Sequence, residues 1–80
     1  MAFKITGING KPNSYSQKEY LVTNADDINK LPRVGIRGTQ EAENDTVVNE
    51  PCAVGSTALL VTGIVTEAYI LTPNNEWVKM

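Results

Sequence analysis

The chain has no histidine and a single cysteine, Cys52, and these two scarcities remove most of the chemistry a small protein can carry. Without histidine there is no Ser-His-Asp arrangement and no imidazole base to turn Cys52 into a thiolate nucleophile. One cysteine excludes an intrachain disulfide, and with no histidine beside it a structural zinc site lacks ligands. Cys52, between Pro51 and Ala53, reads instead as a small buried hydrophobe entering a strand. A phosphate loop is missing as well: Gly35 and Gly38 form GIRG, without the spacing or the following Lys-Ser or Lys-Thr that cradles phosphates. An enzyme is therefore not expected, and neither a cofactor nor a metal is implied.

Positive charge is equally thin. Seven Lys and Arg stand against nine Asp and Glu, for a net charge of −2, and the cations are not clustered. Since the phosphate backbone is bound mainly through clustered positive charge, nucleic acid is not an expected partner. Long apolar runs are absent too. No stretch approaches the roughly 20 residues of a membrane span, and MAFKITGINGK holds an apolar run too short for a signal-peptide core. The chain is expected to be made and kept in a cytoplasm unless it leaves as part of a particle. Asn44-Asp45-Thr46 fits a glycosylation acceptor but carries no weight without a secretion signal.

The charge is uneven along the chain. Residues 1 to 40 hold six cations (Lys4, Lys11, Lys18, Lys30, Arg33, Arg37) and three anions (Glu19, Asp26, Asp27). Residues 41 to 80 hold one cation, Lys79, against six anions (Glu41, Glu43, Asp45, Glu50, Glu67, Glu76). Such asymmetry fits head-to-tail contacts or docking on a charged surface, and it fits equally two differently solvated faces. Eighty residues make one domain, and at this size only about 60% of the unfolded surface is hidden on folding. Disulfides and zinc being excluded, oligomerisation or docking on a larger body is the expected source of extra stability.

What is present is mostly β. Ala58 to Thr62 and Ala68 to Thr72 are apolar or β-branched runs flanking Gly63, a strand-pair signal. Apolar residues at successive positions (Leu59, Leu60, Val61; Tyr69, Ile70, Leu71) predict strands covered on both faces, by a core on one side and by another chain or loop on the other. A turn at Pro73-Asn74-Asn75 leads to a short strand, Glu76 to Lys79, with Trp77 and Val78 on opposite faces. Upstream, Phe3 to Ile8 alternates as a half-buried strand, and Asn9-Gly10 is a turn dipeptide. Lys11 to Ser16 then reads as an exposed loop, or as an arm that Phe3 and Tyr15 would anchor on a neighbouring subunit.

Glu19 to Thr23 is a further strand that runs into a helix start. Asn24 is the expected N-cap, Asp26 and Asp27 suit the positive end of the helix dipole, and Pro32 stops the helix after about two turns. Ile28 and Leu31 share its inner face. The aspartate pair is better explained by that helix start than by catalysis. Arg33 and Arg37 suit carboxylates on another subunit, in competition with a solvated loop. Glu41, Glu43 and Asp45 have the alternate spacing of calcium-loop ligands, but Thr46 and Cys52 fall where that loop needs Gly and Glu, so an acidic surface loop is expected.

The order EYLVTNADDINKLP, PCAVGSTALLV, EAYIL and NNEWVK resembles a family of small structural proteins of tailed bacteriophages and prophages, of the head-decoration and head-fibre kind. The matching positions are Asp27, Leu31 and Pro32; Gly55, Ser56 and Ala58; Glu67, Tyr69 and Leu71; and Glu76 and Trp77. They fall within residues 19 to 32 and 52 to 79. Two features depart from the family pattern: Gly63 is followed by Ile64, Val65 and Thr66 before Glu67, in place of a tight Thr-Gly-Glu turn, and the insertion from Val34 to Glu50 is long. The resemblance implies a virion component made in the bacterial host, most specifically a capsid decoration protein. Such a protein binds the major capsid protein as a trimer or another small oligomer. A tail or head-fibre attachment module, or a small protein that binds a bacterial enzyme, are the alternatives. The expected fold is α+β and mainly β: a small antiparallel β-meander with one short helix and an N-terminal strand or arm (residues 1–18) joined to a β-rich unit (19–80) in a single domain. The expected protein contacts, from exposure and residue type, are Phe3, Tyr15, Arg33, Arg37, Ile64 and Val65.

Overall fold

A computed structural model describes residues 2–40 and 47–80. Five strands form one sheet in the order β1-β2-β3-β4-β5: β1 Phe3–Asn9, β2 Gln17–Val22, β3 Thr57–Val61, β4 Thr66–Leu71 and β5 Trp77–Lys79. The fold is mainly β, and among the described residues its only helix is a 3-10 helix, Ala25–Lys30. No helix among the described residues is long and apolar enough to cross a membrane.

The sheet is mixed rather than wholly antiparallel. β1 pairs β2, β3 pairs β4 and β4 pairs β5 in antiparallel fashion, but β2 and β3 run parallel, with Tyr20 opposite Ala58. The cause lies in the connection. Parallel neighbours require a crossover long enough to carry the chain back to the starting end of the sheet, and residues 23–56 provide it. β1 is hydrogen-bonded along β2, so the N-terminal segment is an edge strand; among the described residues there is no free arm. A bulge interrupts the β1–β2 register between Ile5 and Gly7.

The helix begins as the residue types dictate. Asn24 sits in extended conformation and its Oδ1 accepts the Asp26 amide at 3.0 Å, with Asp26 and Asp27 in the first turn and Lys30 in the last. Lys30 also reaches Asp27 at 3.2 Å. Six residues before a proline leave room for only two tight turns, the length at which 3-10 geometry is used. The helix and the crossover cover one face of the sheet.

On that covered face an aromatic row crosses the strands: Phe3 meets Tyr20 edge-on at 5.6 Å and Tyr20 meets Trp77 edge-on at 6.0 Å. Val22, Ala58, Leu60 and Leu71 complete the strand side of the core, and Ile28, Leu31 and Cys52 close it from the crossover. Trp77 Nε1 donates to the Pro32 carbonyl at 2.9 Å, and the Cys52 thiol approaches the same oxygen at 3.6 Å, so one carbonyl pins the crossover to the sheet. Burial pushes the Tyr20 phenol well above its ordinary value, and the neighbouring Cys52 thiol adds to the shift. Lys18, only 2% exposed, extends its stem into this layer and donates from Nζ to the Pro51 carbonyl at 3.0 Å, with Glu50 Oε2 at 3.9 Å.

Candidate protein-contact surface

Three loops meet at the end of the sheet where β2 and β3 begin. The first joins β1 to β2 and is folded on itself: Asn13 Oδ1 accepts the Tyr15 amide at 2.8 Å, the Ser16 amide donates to the Asn13 carbonyl at 3.3 Å, and the Ser16 hydroxyl donates to the Lys11 carbonyl. This side-chain bonding fixes the backbone at the tip, where Tyr15 stands 87% exposed.

A second loop follows the helix. Arg33 and Ile36 exchange both backbone hydrogen bonds, N to O, at 2.9 and 3.2 Å, and Val34 and Gly35 form the turn between them. Gly35 takes φ +69, a left-handed conformation that an L side chain resists. The turn is held from the far side by Asn75, which itself has φ 63 in the β4–β5 turn. Its Oδ1 accepts the Val34 amide at 2.8 Å and its Nδ2 donates to the Val34 carbonyl at 3.1 Å, so a side-chain amide imitates one strand-pairing unit. The third loop, Pro51 to Val54, is anchored at every residue. Besides Lys18 on Pro51, the Cys52 amide donates to Arg33 O at 3.3 Å, the Ala53 amide to Ser16 O at 3.0 Å, and Gln17 Nε2 to Val54 O at 3.0 Å. Gly55 makes that last contact possible, because a Cβ on it would lie 2.6 Å from Gln17 Nε2.

Between these loops runs an open groove of about 480 Å³, with Ser14, Tyr15, Val34, Gly35, Pro51 and Val54 among its walls. No charged side chain is among its described lining residues. Valine side chains are exposed on two sides and the Tyr15 ring stands above, so the groove suits an apolar side chain of a partner protein rather than a polar metabolite. No group of three or more His, Cys, Asp or Glu among the described residues is placed to hold a metal ion.

Comparison of the chain with protein-family models, curated proteins and solved structures finds no match. The chemistry of the surface has to be taken from its own side chains.

The six expected contact residues fall in three places. Phe3 is 2% exposed, packed on Tyr20, with its amide donating to Gln40 Oε1 at 2.9 Å; this corrects its expected role, since an edge strand turns its Phe toward the core and not toward a neighbour. Tyr15 rims the groove, and Arg33 lies half-buried in the adjoining turn, its Nε out of water without a hydrogen-bond partner among the described residues. Arg37 is exposed just beyond that turn. Ile64 and Val65 belong to the β3–β4 hairpin at the opposite end of the sheet, where Thr62 Oγ1 accepts both their amides and leaves Ile64 95% exposed. The expected acidic loop at Glu41, Glu43 and Asp45, with the Asn44-Asp45-Thr46 pattern, lies outside the described residues. Sequence reasoning missed Val34, Val54 and Asn75. A valine immediately before a glycine, at Val34-Gly35 and Val54-Gly55, was the available signal for the first two.

Proposed function

We propose that this protein is a non-enzymatic structural component of a tailed-phage particle: a capsid decoration protein that binds the outer surface of the head through the major capsid protein and acts as a small homo-oligomer. The observation that carries the proposal is Tyr15, exposed at the tip of a loop whose backbone is fixed by its own hydrogen bonds, beside a groove with no charged side chain among its described lining residues. With the backbone beneath it already ordered, docking of the ring costs the freedom of its side chain and not that of the loop, and exposed aromatics of this kind supply a large share of interface energy. The resemblance of the sequence supplies the particle.

In this reading a capsid side chain enters the groove beneath Tyr15, and Arg33 and Arg37 meet carboxylates at its margin. Ile64 and Val65, in the β3–β4 hairpin at the opposite end of the sheet, meet a second capsid subunit. A molecule that grips two neighbours at once favours the assembled lattice over its separated subunits, because whatever binds one state preferentially stabilises it.

The test is co-sedimentation of the full chain with purified particles, with copy number from mass spectrometry. A decoration protein is expected at near one copy per shell subunit and a Tyr15→Ala variant at about ten-fold lower affinity with unchanged thermal stability. A few copies per particle would point to a tail or fibre module. Absence from particles would point to a host-directed binder, and unaltered binding by Tyr15→Ala would remove the groove from the mechanism.

A further inference from the structure

Among the described residues nothing packs on the second face of the sheet. Helix and crossover lie on the face of Tyr20 and Leu60, while Leu21, Leu59, Val61, Ile70 and Val78 point the other way, with Leu59 43% exposed. The strands are apolar at successive positions, the pattern of strands covered on both sides, yet among the described residues this chain covers only one. We infer that a second copy of this chain packs on the open face, sheet against sheet, about a two-fold axis.

The cross-strand register shows why a copy fits. Two adjacent rows cross the open face. One runs Lys4, Leu21, Leu59 and Ala68; the next runs Gly7, Glu19, Thr57, Ile70 and Val78. Lys4 and Glu19 are the only charged strand residues directed to this face, one of each sign, and neither has an ion-pair partner among the described residues. A two-fold axis lying across the strands between these rows sets each row of one copy on the other row of its mate. Lys4 then comes down on Gly7 of the second copy, a position with no side chain of its own, over which that copy's Glu19 side chain is folded. The carboxylate it needs is already there: Glu19 Oε2 lies 2.9 Å from the point a Cβ on Gly7 would occupy. The same operation sets Leu59 over Thr57 and Ala68 over Ile70. Two symmetric ion pairs thus border an apolar centre, a self-complementary arrangement of the kind a two-fold interface requires.

The area is sufficient. Five strands about 4.8 Å apart and roughly five residues long give a face of about 400 Å² in projection. Two such faces, studded with side chains, hide on the order of 1,000 Å², the lower limit of a specific interface. The inference rests on the sheet alone and stands independently of the capsid reading.

Sedimentation equilibrium of the full chain tests it. The expected result is a monomer–dimer equilibrium with a dissociation constant on the order of 10 μM, and weakening of about 100-fold in Leu59→Glu through an unpaired charge at the apolar centre. Lys4→Glu alone and Glu19→Lys alone should each weaken pairing about ten-fold, whereas the double variant should return to within about three-fold of the native chain. Because Lys4 and Glu19 are exposed, the charge-swap rescue remains readable even where Leu59→Glu folds poorly. A monomer at every concentration, a trimer, or a double variant no better than the singles would overturn the inference.

Discussion

Asn75 makes the most demanding single test of how the candidate surface is built. It combines a left-handed backbone, φ 63, with two hydrogen bonds to Val34, and three substitutions separate these contributions. Asn75→Gly keeps the backbone free to adopt positive φ and removes both bonds. At about 0.5–1 kcal/mol each for partly solvated neutral bonds, the loss is about 1–2 kcal/mol. Asn75→Ala removes the same bonds and adds the steric penalty of a Cβ in the left-handed region, about 1 kcal/mol or more, for a total near 2–3 kcal/mol. Asn75→Asp retains the acceptor for the Val34 amide but turns a carboxylate oxygen toward the Val34 carbonyl, and should match or exceed the glycine variant. For a domain of this length 1 kcal/mol corresponds to about 4–8 °C in Tm. Calorimetry or thermal circular dichroism should therefore rank the native chain above glycine and glycine above alanine, with alanine lower by at least about 8 °C. Equal values for alanine and glycine would refute the backbone term, and a glycine variant within about 2 °C of native would refute the clamp. The consequence also reaches the groove. With Val34 released, partner affinity should fall in the glycine variant although Asn75 itself is not among the groove residues.

Two further outcomes follow from the core. Tyr20 has a raised folded-state pKa, so its contribution is fully present below the unfolded value of about 10 and is lost as pH rises beyond it; unfolding free energy should decline above about pH 10. Tyr20→Phe should flatten that decline, and because the phenol oxygen has no hydrogen-bond partner among the described residues the change should cost less than about 0.5 kcal/mol at pH 7, measured by urea titration. Trp77→Phe leaves the Pro32 carbonyl with only the weak Cys52 thiol as donor and opens space beside Tyr20, for an expected loss of about 2–3 kcal/mol in the same assay.

Much of the local structure was written in short stretches of sequence. Asn24, the two aspartates and Pro32 marked the helix because caps, dipole and proline act within a few residues. The alternation around Phe3 and the runs at Leu59 and Ile70 marked strands for the same reason. The parallel pairing of β2 with β3 was not legible, since it depends on where the 23–56 crossover travels and not on the residues of either strand. Position in the sheet also decided Phe3, whose exposure as an N-terminal aromatic reversed once β1 was hydrogen-bonded at the edge. Asn75 reads in sequence as a turn former, which it is, but its clamp on Val34 spans 41 residues and only folding creates it. Tyr15 was marked by residue type, while the groove it borders needed three distant loops to be brought together.

The bulge in β1 governs a hazard that comes with crowding. An exposed edge strand offers unpaired amides and carbonyls to the edge of any neighbour, and a flat one invites continuous ribbons and fibrils. The register break between Ile5 and Gly7 twists that rim out of line and spoils its repeat, while the opposite rim, Trp77–Lys79, is only three residues long and carries a lysine. Copies held close together can thus touch face to face without being stitched rim to rim, which leaves a dense array of them free to stay a collection of separate molecules.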